Sequence, residues 1–295
     1  IEANRAKQKK FKNKIIEFPT FKKHTETQQF RYAIDAIPVG ARIYVTAKLH
    51  GTSGRSANLQ KVTHQYNWWR KWLKKPKIIT EYEHVYGSRN VTYTKDKEPA
   101  SANDHFKTEI VANNYRLKHH SKLNLAKGET IFYEIVGWES NDRPIMPRHP
   151  LDPKDEVHKE IIKQFGPDPV TYNYGCPAGT NEIYVYRITH TNEDGYTIDL
   201  CWDQIEARCS ALGLKTVPVL ARYPYLNKEL FVSSFKGILN ANMKDPIGNH
   251  IMEGICIRVE HRDMFKTFKW KSFYFCHLEG IAKQDPNYQD TEEDS

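Results

Sequence analysis

Lys48 lies in Ala47-Lys48-Leu49-His50-Gly51-Thr52-Ser53, at the end of the run Ala41-Arg42-Ile43-Tyr44-Val45-Thr46. That run is β-branched and alternating enough to predict a strand over 43–49. Far downstream, Glu253-Gly254 opens a second such run, Ile255-Cys256-Ile257-Arg258, and Lys269-Trp270-Lys271 lies on a third. Side chains on a strand alternate between its two faces, so Lys269 and Lys271 share one face and Trp270 takes the other. The order of these pieces is more informative than any one of them. Glycine is roughly one residue in fourteen in average chains, and Lys163-Gln164-Phe165-Gly166 repeats the Lys-x-x-Gly spacing by chance. Only Lys48 has the other elements following it in order.

Taken singly, Lys269 and Lys271 read as a solvated strand face and Glu253 as an ordinary turn residue. Taken together with Lys48 they point to phosphate chemistry. A free lysine has a pKa of about 10.4, so on the order of one in a thousand is unprotonated at neutral pH. A neighbouring cation or metal disfavours the ammonium and raises the reactive fraction. Lys269 and Lys271 are therefore expected to depress the pKa of Lys48 and to neutralise a triphosphate. Glu253 is the candidate metal ligand, holding a divalent ion through water.

The ordered set resembles the motifs of covalent nucleotidyltransferases, the superfamily of ATP-dependent RNA and DNA ligases and mRNA capping enzymes. The resemblance runs from Ile43 to Phe275 and is closest to the type 2, nick-sealing RNA ligases. Ser88-Arg89-Asn90 looks like their second motif, whose arginine meets a phosphate. Tyr133-Glu134-Ile135-Val136-Gly137 resembles the third, which implies that Glu134 accepts hydrogen bonds from ribose hydroxyls. Tyr184-Val185-Tyr186-Arg187-Ile188 is similar to the motif that offers an aromatic face to adenine, a role that falls to Tyr186. Glu253 and the pair Lys269/Lys271 match the fourth and fifth motifs. His50 tips the balance toward RNA, since DNA ligases and capping enzymes usually carry Asp before this glycine. Two departures stand out: the position five after the nucleophile is Ser53 where DNA ligases often have Arg, with Arg55 two further on, and Ala47 replaces the acidic residue that often precedes the lysine.

The resemblance implies an ATP-dependent RNA ligase acting through a lysyl-AMP intermediate, with ATP and Mg²⁺ as cofactors and Mn²⁺ able to substitute. The nucleotide-binding residues would be Lys48, Leu49, Arg89, Glu134, Tyr186, Glu253, Lys269 and Lys271; the catalytic ones Lys48, His50, Arg89, Lys269 and Lys271. The expected partner is RNA or an RNA-containing duplex with a nick. The alternatives are a minimal DNA ligase and a nucleic-acid-binding protein that keeps a degenerate ligase fold.

Composition agrees with that class. A net charge of +8 and a pI near 9.0 draw polyanions. The five cysteines form no C-x-x-C pair and no even framework, so they are expected as reduced thiols in a cytoplasmic or other reducing compartment. No stretch approaches the ~20 apolar residues of a membrane span.

Strands and helices are interspersed without a regular βαβ rhythm, which predicts an α+β fold: a nucleotidyltransferase domain with antiparallel sheets flanked by helices. The expected organisation is a basic segment over 1–30, the adenylyltransferase domain over 31–280, and an acidic tail over 281–295. About twenty residues follow Phe275, too few for a five-stranded OB barrel, so no C-terminal OB domain is expected. Helices are predicted near Glu156–Phe165, from Asp199 to Leu214 with Asp199 as N-cap and Gly213 as stop, and from Lys228 to Asn240. Trp68 to Lys75 is predicted to form a helix with a basic face (Lys71, Lys74, Lys75 and neighbouring Lys77) suited to gripping nucleic acid. The basic run Arg5–Lys14 is a second candidate contact.

Overall fold

The computed structural model describes residues 14–24, 27–65, 77–93, 115–239 and 243–280. The Trp-rich segment 66–76, residues 5–13 of the basic run and the acidic tail 281–295 lie outside the described residues. The first half of the chain forms β1 (Lys14–Glu17), β2 (Gln28–Gln29), β3 (Arg42–Lys48), β4 (Thr52–Gln65), β5 (Lys77–Gly87), β6 (Thr92–Tyr93), α1 (Tyr115–His120) and β7 (Glu129–Gly137). The second half forms α2 (Glu156–Phe165), β8 (Asn181–Thr191), β9 (Thr197–Asp199), α3 (Trp202–Leu212), β10 (Lys215–Thr216), β11 (Val219–Pro224), α4 (Lys228–Leu239), β12 (Gly254–His261), β13 (Met264–Lys271) and α5 (Phe273–Leu278).

Two sheets result, and the fold is α+β with mostly antiparallel pairing. One sheet runs β10-β8-β7-β4-β5-β6, with β1 on β4 and β9 on β8; the other runs β11-β3-β12-β13-β2. A single core cluster draws on both: Ile43, Val45, Ala47, Ile255, Ile257 and Phe268 from the second sheet, Ile131, Tyr133 and Ile135 from the first. This core locks the register. Sliding β12 by one residue would exchange buried Ile255 and Ile257 for Cys256 and Arg258, forfeiting roughly 1.5–3 kcal/mol for each large apolar side chain moved out.

The chain passes from one sheet to the other between β3 and β4, through Leu49-His50-Gly51. Lys48 is therefore the last residue of a central strand, flanked by β11 and β12, at the point where the two sheets diverge. Gly51 permits the crossing, because a Cβ there would sit 2.3 Å from the backbone oxygen of Ile135 on β7.

The helix expected near 156–165 forms over that span, with the Asp155 carboxylate accepting from the N–H groups of Val157 and His158. Gly213 closes α3 in the left-handed conformation, at φ 66°. The start of α3 corrects the sequence reading. Asp199 is not its N-cap: it belongs to β9, opposite Thr189, and its carboxylate takes the Arg187 guanidinium, with Nη2–Oδ2 at 2.9 Å. A charge-assisted bidentate pair outweighs a local cap, and the helix begins three residues later at Trp202, with Gln204 accepting the Cys201 N–H at 3.0 Å. The helix over 228–239 forms as expected, and Asn240 lies outside the described residues.

Gly51→Ala is expected to cost about 1–3 kcal/mol, the usual range for overpacking, because the obstacle is backbone rather than a flexible side chain. A urea titration should show a lowered midpoint; an unchanged midpoint would mean that the crossing has room to spare.

Candidate active site

The register of β3, β12 and β13 determines which side chains meet. Gly254 pairs with Lys48 on one side and Lys271 on the other; Cys256 pairs with Thr46 and Lys269; Arg258 pairs with Tyr44 and Thr267. Residues directly opposite in a sheet point to the same face. Lys48, Lys269 and Lys271 therefore share a face, while Trp270 turns to the core. Between Lys48 and Lys271 stands a glycine, whose Cβ would lie 2.1 Å from the Trp270 backbone oxygen.

This face walls a cavity of about 400 Å³, within the roughly 300–1,000 Å³ of small-ligand sites. Lys48, Leu49, His50, Arg89, Glu134, Tyr186, Glu253, Lys269 and Lys271 all line it. Glu134 comes from β7 and Tyr186 from β8, so the first sheet supplies the opposite wall. The decoy Lys163 is exposed on α2.

Lys48 Nζ is ion-paired with Glu253 Oε1, and this reverses the expected pKa. Burial presses the ammonium toward deprotonation, but the charge of Glu253, with smaller contributions from Cys256 and Glu134, more than offsets it and raises the pKa above the ordinary lysine value. The sequence could show the cations on β13 but not the carboxylate at the lysine's tip, 205 residues away. Glu253 is itself only 2% exposed. Its second oxygen, Oε2, has no hydrogen-bond partner and lies 3.9 Å from His50 Nδ1. A buried carboxylate oxygen left open in a cavity suits a hard divalent cation or its bound water. Across the cavity, burial pushes Glu134 up to about 8, with Lys48 opposing and Glu253 adding to the rise.

Sequence reasoning did not select His24, Arg187 or Arg258, which also line the cavity. His24 sets its ring edge-on to Tyr186, centroids 5.1 Å apart, and burial, followed by Arg187 and Arg89, lowers its pKa to about 4. Arg187 directly follows Tyr186, and a β-bulge where β8 passes Tyr133 lets both neighbours reach the cavity. Arg55 does not replace the arginine missing at Ser53. It is 2% exposed and donates to the backbone oxygens of Ser88 and Phe21, both at 3.0 Å, bracing the loop that carries Arg89 and the segment that carries His24. Ser53 itself lines the cavity.

Glu134 gives a pH signature. Its folded pKa is raised, so between the unfolded value near 4.5 and about 8 the native state binds the extra proton, and stability contributed by this group falls as pH rises. Glu134→Gln should remove that fall: the stability of the variant relative to wild type should increase from pH 5 to pH 8 in urea titrations. A constant difference would show that Glu134 is ionised throughout.

The RNA ligase family model matches residues 41–271, well over half of the chain. No curated protein matches it. Among solved structures, Naegleria gruberi RNA ligase with PPi is 16% identical, covering 89% of this chain and 59% of that one at a TM-score of 0.48. A mutant of the same Naegleria gruberi enzyme with AMP and Mn is also 16% identical, with 89% and 59% coverage and a TM-score of 0.49. The chain thus spans less than two thirds of the length of these structures. By the family match over its strands and cavity, the chain belongs to the RNA ligase family.

Proposed function

We propose that this protein is an ATP-dependent RNA ligase that joins a 3′-hydroxyl to a 5′-phosphate, with Lys48 as the nucleophile. The observation that carries the reading is the register that sets Lys48, Lys269 and Lys271 on one wall of the cavity, with Glu253 at the lysine's tip. Lys48 attacks the α-phosphorus of ATP: an N–P bond forms, the P–O bond to pyrophosphate breaks, and the amine gives up a proton. AMP then passes to a 5′-phosphate, and a 3′-hydroxyl displaces it. Each step is a displacement at phosphorus, so positioning and charge neutralisation supply most of the acceleration.

Lys269 and Lys271 neutralise the phosphates. Tyr186 offers its ring to the adenine and Glu134 its carboxyl group to the ribose. Arg89, on its braced loop, meets a phosphate. Glu253 has two tasks. As long as it holds Lys48 alone, it keeps the nucleophile as an ammonium, and it is the nearest base for the departing proton. Glu253 Oε2 is also the oxygen that would hold Mg²⁺ or Mn²⁺, and a carboxylate shared in this way grips the ammonium less strongly. A bound divalent cation would neutralise phosphate charge and favour pyrophosphate as leaving group.

RNA is preferred over DNA as substrate on the strength of His50, and a nicked duplex with an RNA 3′-hydroxyl strand is the proposed partner. Sealing rates on matched nicks with RNA or DNA 3′ ends separate this from a minimal DNA ligase. The assembly of all the motif residues around one cavity favours an enzyme over a degenerate binding protein. The five cysteines are unbonded, and no helix among the described residues is long and apolar enough to cross a membrane.

Incubation with α-labelled ATP and Mg²⁺ should yield an acid-labile AMP adduct on a denaturing gel, abolished by Lys48→Ala. Lys269→Ala and Lys271→Ala should each slow its formation tenfold or more, about 1.4 kcal/mol or above, whereas Trp270→Leu should act on stability. Adduct formation in Lys48→Ala, or lysine variants that label at the wild-type rate, would contradict the assignment.

A further inference from the structure

His50 is held more elaborately than a residue that merely lines a cavity. Its ring stands edge-on between Tyr172 and Phe275, each 4.9 Å away between centroids, and its backbone N–H donates to the Tyr174 hydroxyl. On one side its Nδ1 faces Glu253 Oε2 at 3.9 Å. On the other, its Nε2 lies 3.3 Å from Glu279 Oε1. The same carboxylate oxygen lies 3.1 Å from His149 Nε2. His149 is fixed in turn: its N–H and carbonyl bridge to Val170 at 3.0 and 2.9 Å, and its ring lies edge-on to Tyr172.

Glu279 has its own anchorage. It ends α5, whose N-cap, Ser272, is tied to the turn that carries Glu253: the Ser272 N–H donates to the Glu253 backbone oxygen and its Oγ to that of Met252, both at 2.8 Å. Farther along α5, His277 Nε2 lies 3.0 Å from Asp155 Oδ2, at the start of α2. One rigid element thus fixes the distance between the two carboxylates that bracket His50. An imidazole whose Nε2 edge faces a fixed carboxylate, with rings on both flanks, is held in one orientation and presents Nδ1 on its other side.

We propose that Glu279, steadied by His149, is a positioning residue for His50, orienting the imidazole so that Nδ1 is directed at the Glu253 end of the cavity. This rests on the reading above that His50 takes part in the reaction. The trio His50, His149 and Glu279 is close enough to cage a cation; among the described residues the single Glu279 oxygen faces the two imidazole nitrogens at 3.1 and 3.3 Å, ion-pair distances in which neither nitrogen completes an aligned hydrogen bond.

The test uses the full chain with His50→Ala, Glu279→Ala, Glu279→Gln and the His50→Ala/Glu279→Ala double variant. Two rates are read separately, formation of the AMP adduct and sealing of a pre-adenylylated RNA strand, together with thermal stability. Glu279→Ala should slow the same step that His50→Ala slows, by about tenfold or more, and should add less than about twofold in the His50→Ala background, since coupled residues are non-additive. Glu279→Gln keeps an acceptor oxygen and should recover most of the rate. The proposal is overturned if Glu279→Ala runs at the wild-type rate in the step that His50→Ala slows. It is equally overturned if the two substitutions add fully while the single variant melts early, which is the behaviour of a purely structural residue. If His50→Ala proceeds at the wild-type rate in both steps, the role given to His50 falls, and this proposal with it.

Discussion

The site depends on one ion pair, Lys48 with Glu253. Neither residue is near the other in sequence; the pairing of β3 with β12 brings them together, with Lys48 opposite the glycine that follows Glu253. Glu253 is almost fully enclosed, and an unpaired buried carboxylate costs several kcal/mol. Lys48 is therefore a counter-ion as well as a candidate nucleophile. The two tasks conflict, because the pairing that makes the fold tolerable also keeps the amine protonated. In the proposed reaction the conflict is resolved at Glu253, whose unpartnered second oxygen can be shared with a metal.

The two sheets divide the cavity between them. The wall made by β3, β12 and β13 carries the cations, set on one face by strand alternation and spaced by Gly254. The wall made by β7 and β8 carries Glu134 and Tyr186, the groups suited to a nucleoside. The crossing at Leu49-His50-Gly51 joins the walls, so a displacement at Gly51 would move the nucleophile and His50 relative to the nucleoside wall. This also explains why Arg55 is buried as a brace. Its guanidinium fixes the edges of the cavity, at the Arg89 loop and the His24 segment, and does not line it.

Much of this was legible in the sequence where the signal is local. The alternation at Lys269-Trp270-Lys271 gives the face of each residue, and the order of motifs gives the members of the cavity. The helix expected near Glu156–Phe165 forms over that span. What was not legible depends on distances across the fold. The raised pKa of Lys48 required knowing that Glu253 touches its tip, whereas spacing alone suggested only the cations. Asp199 has a good capping side chain, but Arg187 claims it from across β8 and β9. His149 and Glu279 sit in segments with no motif character, and only the folded chain brings one Glu279 oxygen between the His50 and His149 rings.

The central claim is that the end of β3 is where the AMP moiety of ATP becomes covalently attached, with release of pyrophosphate. It is tested most directly by incubating the intact protein with ATP and Mg²⁺, digesting it under conditions that preserve a phosphoramidate, and locating the added AMP by tandem mass spectrometry. The account predicts a single modified peptide, with AMP on Lys48. AMP on Lys163, on Lys269 or Lys271, or an unmodified protein that nevertheless seals RNA, would contradict it.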